Sequence, residues 1–234
     1  MCSSDLLRQR FGLHVGRRTA EIILAQDPGL SGTEQNVTVM FCDIRNFTAR
    51  CAVTPAEEIV QLLNRFLTMM VDVVENKHHG NVNKFLGDGF MALFGIGEQP
   101  ADHNSNAAAT PSERNHVADA VSAGLDIIAH LSEMNVELAD EEIPTLGIGI
   151  GIHTGTAIVG SMGSNDRLEY TAIGDTVNLA SRVEGLTKSV GEPLLFTKVA
   201  AAGIEDLFDI QQLASQPVKG QTAPIEICTV ARNH

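Results

Sequence analysis

The hydrophobic period of this chain switches repeatedly between strand-like and helix-like, and the order of those switches narrows the fold more than any single motif. "VTVMFC" (37–42) is a continuous apolar, β-rich run of the kind buried on both faces. The segment "TPAEEIVQLLNRFLTMMVDVVENKHHG" follows, opening with Thr54, Pro55 and Glu57. That spacing predicts a capping box, with proline at the first helical position. Ile59, Leu62, Leu63, Phe66, Met70 and Val73 keep the 3.6-residue period, and Gly80 closes it. Two short strands, about 81–86 and 90–94, then flank "GDG". Asp-Gly between apolar runs is the strongest short-range hairpin signal, because a tight turn needs positive φ at its centre.

A polar stretch, "EQPADHNSNAAATPSERN" (98–115), leads into a second helix over about 116–135, with Val117, Val121, Leu125, Ile128 and Leu131 at helical spacing. "TLGIGIGIHTGTAIVGSMG" (145–163) alternates Gly and Ile, as a strand does where another backbone or a ligand comes close. Strand, helix, strand, strand, helix, strand is the split βαβ order. It predicts an α+β, ferredoxin-like βαββαβ core with a strand and helix extension over 165–234. One helix of that extension follows "GDTVN", with Asp175 as its expected cap. Residues 1–35 read as an N-terminal amphipathic segment and linker, and 36–234 as the globular domain. The N-terminal segment suits either a loosely packed helix or a transmitter from an upstream module.

The sequence holds 16 Lys+Arg against 29 Asp+Glu, a net charge of −13. That balance argues against non-specific nucleic-acid binding, which relies on many cationic phosphate contacts. It leaves room for an anionic small substrate, since a metal and a few local cations can invert the field in one cleft. Cys2, Cys42, Cys51 and Cys228 show no disulfide or metal spacing. Free thiols in a reducing, cytoplasmic setting are expected, and no apolar run has the length of a membrane span. The glycines fit neither G-x-G-x-x-G opening a helix nor a Walker loop.

Asp43 leaves the first strand and Asp88 sits at the hairpin tip. In a ferredoxin-like sheet the first strand neighbours that hairpin, so the two carboxylates converge at one sheet end. Hard oxygen ligands of this kind suit Mg²⁺ or Mn²⁺ with a polyphosphate, the geometry of two-metal phosphoryl and nucleotidyl transfer. "DIRNFT" begins a helix-like turn whose free N–H groups can cradle phosphate. Asn178 and Arg182, spaced i, i+4, project from one helix face. Lys84 and Lys219 would each pass as ordinary surface lysines if taken alone.

Taken together, "VTVMFCDIRNFT", "NKFLGDGFMALFG", "GIGIHTGTAIVG", "YTAIGDTVNLASRVE" and "VKGQ" stand in the order and spacing of the class III nucleotidyl cyclase catalytic domain. The chain resembles that family over residues 37–232. The resemblance implies a head-to-tail homodimer with active sites at the interface and two Mg²⁺ or Mn²⁺ ions per site. It matches Asp43 and Asp88 to the metal-binding aspartates and the backbone of Ile44 to a further metal contact. It matches Phe47 and Thr48 to the phosphate-cradling turn, and Lys84 and Thr171 to the two purine-reading positions. Asn178 matches the ribose-orienting residue, Arg182 the arginine at the α-phosphate, and Lys219 a lysine on the terminal phosphates. The aspartates would come from one protomer, and the purine readers Lys84 and Thr171 with Asn178, Arg182 and Lys219 from its partner.

Lys84 can donate to adenine N1, whereas guanine N1 carries a hydrogen. Lys84 with Thr171 resembles the subclass that includes bicarbonate-responsive soluble adenylyl cyclases. The expected partners are therefore ATP, a second copy of the chain and an upstream sensor or membrane module, with no nucleic acid. Three alternatives stay open: a guanylyl cyclase, a silent nucleotide-binding dimerisation module, and a two-metal nucleotidyltransferase on the same core. In the cyclase reading Arg182 acts mainly in the transition state. Arg182→Ala should then lower kcat on the order of 10²-fold or more with modest change in KM, measured by steady-state kinetics.

Overall fold

The computed structural model describes residues 16, 19–20, 23–24, 32–96, 115–164, 166–220 and 222–231. The amphipathic segment and linker fall largely outside the described residues, as does all of the 98–115 stretch except Asn115. In chain order the elements are β1 (Gly32–Ile44), α1 (Phe47–Cys51), α2 (Ala56–Val71), β2 (Asn81–Phe85), β3 (Gly89–Phe94) and α3 (His116–Asp140). They continue as β4 (Ile148–Gly163), β5 (Leu168–Ile173), α4 (Asp175–Val190), β6 (Leu194–Thr197), α5 (Lys198–Ala201), β7 (Ile210–Gln212) and β8 (Ile227–Val230). A wider π-helical turn, Asp72–Lys77, extends α2 and buries the consecutive Val73 and Val74.

The strands form one sheet in the order β2-β3-β1-β4-β6-β8-β7, with β5 paired to β4. Its first four strands give the ferredoxin-like βαββαβ core that the hydrophobic order predicts. β1 is longer than expected. Gly32–Gln35, read from composition as the end of a linker, pair with Gly160–Ala157 of β4, so backbone pairing overrides a polar composition there.

Alternation along β1 sorts its side chains between two layers. Met40, Cys42 and Ile44 point into the larger core with Phe66, Met70, Ile127 and Leu138 of α2 and α3. Val37 and Val39 point the other way, against Met91, Leu93, Tyr170 and Ala180. Asp43 shares the parity of Val37 and Val39 and therefore faces the α4 layer. No described helix is long and apolar enough to cross a membrane.

Two expected caps do not form. Pro55 precedes α2 as its cap, with no side-chain hydrogen bond. The Thr54 N–H instead donates to the Arg50 carbonyl, closing α1, so the Thr54–Glu57 box loses its first member to the preceding turn. Asp175 is the first residue of α4, preceded by Gly174 as cap.

The Gly–Ile alternation of β4 now has a physical cause. Ile148, Ile150 and Ile152 fill the core beneath α3, while α4 lies directly on the glycines of the opposite face. A Cβ on Gly151 would stand 2.0 Å from the Glu184 nitrogen and 2.7 Å from the Ala180 carbonyl oxygen. Gly151→Ala should therefore push α4 off the sheet and destabilise by roughly 1–3 kcal/mol or more in urea unfolding. Gly185→Ala, on the same helix with no atom of the described residues within 4 Å of the added carbon, is the control. It should stabilise by about 0.5–1 kcal/mol.

Candidate active site

The first group of site residues sits where β1 ends. Asp43 pairs with Gly89 of β3 on one side and Gly149 of β4 on the other. A Cβ at Gly89 would lie 2.4 Å from the Cys42 carbonyl oxygen and 2.7 Å from Asp43 Oδ1, so only glycine lets the hairpin close on this carboxylate. The positive φ of the hairpin falls on Gly87, at 78°. The Leu86 N–H donates to the Gly89 carbonyl at 2.8 Å. The turn is thus centred on Gly87–Asp88 rather than on the expected Asp-Gly pair, which leaves Asp88 at its tip.

Asp43 and Asp88 do converge. Burial raises the Asp43 carboxyl above its ordinary range, and the negative charge of Asp88 raises it further. Two hard-oxygen donors whose charges oppose one another fit a divalent cation, which would relieve that repulsion. Among the described residues no three His, Cys, Asp or Glu form a ready-made metal cage. The Ile44 side chain is buried in the core, so its backbone is what it can offer a ligand. α1 starts at Phe47, straight after Asn46 in the left-handed conformation, and the first turn of any helix leaves N–H groups without intrahelical acceptors.

A second group joins β2 to β5, strands that share no ladder. Lys84 Nζ lies 3.2 Å from Glu169 Oε2, and Arg167 pairs with the other oxygen at 3.0 Å. The Thr171 hydroxyl, buried, donates to Asn83 Oδ1 at 2.8 Å. Both purine-position candidates therefore meet at one edge, each with a neighbour that the sequence reading did not single out.

The third group lies on α4 and the turn after β7. Asn178 is exposed one turn before Arg182. Arg182 Nη1 is buried and has no hydrogen-bond partner among the described residues. The backbone at Gly220 packs beside the guanidinium, with Nη2 3.1 Å from where a Cβ would stand. Exposed Lys219 is thereby carried next to Arg182. A buried, unpaired guanidinium nitrogen is costly by itself and suits an incoming anion.

The sequence reading missed Glu184. Its Oε1 lies 2.7 Å from the position of a Cβ on Gly149, the residue that pairs with Asp43, so α4 lowers a third carboxylate toward the aspartates. Burial pushes its carboxyl up to about 7, the charges of Asp43 and Asp88 add to this, and the Arg45 guanidinium opposes it. The strand glycines signalled that something came close to β4. Nothing in the local pattern said which residue.

The Adenylate and Guanylate cyclase catalytic domain model matches residues 30–229. Adenylate cyclase 1 of Rhizobium meliloti (strain 1021) is 32% identical over 202 residues, covering 86% of this chain and 28% of that protein. The adenylyl cyclase CyaB from P. aeruginosa superposes with a TM-score of 0.75 at 31% identity, covering 88% of this chain and 98% of that one. The guanylyl cyclase Cya2 superposes with a TM-score of 0.71 at 28% identity, covering 86% and 94%. The chain spans about a third of the length of the curated relatives it matches.

Glu184 carries a pH signature. The folded carboxyl keeps its proton up to about 7, whereas an unfolded one releases it near its ordinary value of about 4.3. Between those values the folded state binds more protons, so Glu184 makes stability fall as pH rises, levelling off above about 7. Glu184→Gln should flatten that decline and leave the protein more stable than the parent at pH about 8. Thermal unfolding across pH with a chelator present checks it; parallel curves for the two proteins would contradict it.

Proposed function

Because the chain belongs to the adenylate and guanylate cyclase catalytic-domain family, we propose that it converts ATP to 3′,5′-cyclic AMP and pyrophosphate at sites shared by two copies of the chain. The convergence of Asp43 and Asp88 at the end of β1 is the observation that carries this reading. The two aspartates, with the Ile44 carbonyl, would hold the divalent cations. Bound there, those ions supply charge neutralisation for the triphosphate and acidify the ribose 3′-hydroxyl.

The remaining steps belong to the chain's own groups. The N–H groups of Phe47 and Thr48 and the Lys219 ammonium hold the terminal phosphates. Asn178 orients the ribose so that its 3′ oxygen stands in line behind the α-phosphorus. The new O3′–P bond forms as the bond to the β-phosphate oxygen breaks, and pyrophosphate leaves. Arg182 meets the charge that grows on the α-phosphoryl oxygens, and its buried Nη1, without a partner among the described residues, supports that role. Lys84 spends one N–H on Glu169 and keeps two, enough to reach adenine N1.

In this reading Lys84, Thr171, Asn178, Arg182 and Lys219 of one protomer complete the aspartate site of the other. Similarity to a guanylyl cyclase at a TM-score of 0.71 means that backbone shape does not choose the base. The donor at Lys84 favours adenine. The matched relatives are about three times longer than this chain, which leaves room for an upstream sensor or membrane module; the cytoplasm, where ATP is available, is the site of action this reading implies.

Incubation with Mn²⁺ and either nucleotide should give cyclic AMP and pyrophosphate from ATP with little cyclic GMP, resolved chromatographically. Asp43→Ala should be inactive alone and Arg182→Ala should keep only a residue of turnover, and mixing them should restore activity well above either variant by itself. No gain in the mixture at any ratio would refute shared sites.

A further inference from the structure

We propose that Asn83 sets the hydrogen-bond polarity of Thr171, so that the base pocket reads an amino group and rejects a carbonyl. The inference rests on the cyclase reading and names its specificity-determining residue. Asn83 Nδ2 donates to the Tyr170 carbonyl at 2.6 Å. A carbonyl oxygen only accepts, so the amide end facing it is the nitrogen; the reverse orientation would set two acceptors against each other. Oδ1 is thereby turned to Thr171, whose hydroxyl donates to it at 2.8 Å.

A hydroxyl has one proton and two lone pairs. With its proton held by Asn83, the Thr171 oxygen presents only lone pairs to a base. Adenine offers its N6 amino group there, a donor. Guanine offers O6, an acceptor, and two lone-pair-bearing atoms would face one another. Free of Asn83, the same threonine could rotate and donate to O6. Thr171 itself cannot discriminate; its neighbour makes it do so.

The backbone independently singles out Asn83. In the β2–β3 ladder Val82 pairs with Ala92 and Lys84 with Met91, so Asn83 is the extra, unpaired residue of a β-bulge. Bulges re-aim a side chain out of strict alternation. Here the bulge brings Asn83 to β5 beside Lys84, so the two positions that meet the base are set by consecutive residues of one irregular strand.

The test uses binding as well as turnover. Calorimetry with Mn²⁺ and 3′-deoxy-ATP or 3′-deoxy-GTP, which cannot cyclise, gives the base preference of each variant. Asn83→Ala should lower the adenine-to-guanine affinity ratio by about tenfold, the worth of one exchanged hydrogen bond. Thr171→Val should weaken the adenine analogue by a similar factor and leave the guanine analogue bound at least as tightly as in the parent. An unchanged ratio in folded Asn83→Ala overturns the inference. So do equal losses for both analogues in Thr171→Val, which decides the matter if Asn83→Ala does not fold. Failure of the parent chain to bind either analogue overturns it as well. A chain that forms no cyclic AMP yet shows both ratio changes upholds the base-reading inference and removes the catalytic reading.

Discussion

β1 is paired along both edges, to β3 from Thr38 to Asp43 and to β4 from Gly32 to Ile44, and most of the architecture hangs on that double ladder. A strand held on both sides cannot slip by one residue without turning every buried side chain to the wrong layer. Met40, Cys42 and Ile44 are committed to one core, Val37 and Val39 to the other. Asp43 inherits its direction from that commitment. A carboxylate on a loop would have to be ordered by its ligand; this one is placed by hydrophobic burial several residues away.

The price of placing it is visible in the chemistry of its neighbours. Asp43, Asp88 and Glu184 lie close enough for their charges to oppose one another, and burial removes the water that would screen them. Hydrophobic packing on both faces of the sheet holds the carboxylates together against that repulsion. Such stored electrostatic tension is characteristic of sites that hold a cation or move charge. The nearby Arg45 guanidinium offsets part of it, anchored by its hydrogen bond to the Ile148 carbonyl at 2.9 Å.

α4 couples the fold to the candidate site most directly. Its inner face rests on Gly149, Gly151 and Gly155 of β4, where any larger side chain would meet helix backbone or the side chains of Glu184, Thr187 or Thr176. Its other residues carry Asn178, Arg182 and Glu184, so the seating of the helix sets the height of all three at once. The base-facing edge works by a different principle. There a bulge and a pair of side-chain hydrogen bonds, rather than core packing, orient the groups.

Element order was legible because hydrophobic period reports which face of a segment is buried, and burial is what a strand or helix responds to first. The βαββαβ core, the convergence of Asp43 with Asp88 and the shared face of Asn178 and Arg182 followed from period and topology. Local signals misled where a neighbour competed for the same group. Thr54 looked like a helix cap, but its N–H closes the preceding turn; Asp88-Gly89 looked like the turn centre, but Gly87 carries the positive φ. Glu184 and Asn83 were invisible because nothing local marks them. Their significance is a contact, one with a strand brought up by sheet pairing and the other with a hydroxyl 88 positions away. The sequence by itself determined which segments fold and which residues can carry charge to one end of the sheet. Only the tertiary structure decided how those charges perturb one another and which way a single hydroxyl proton points, because electrostatics and hydrogen bonding depend on distance in space.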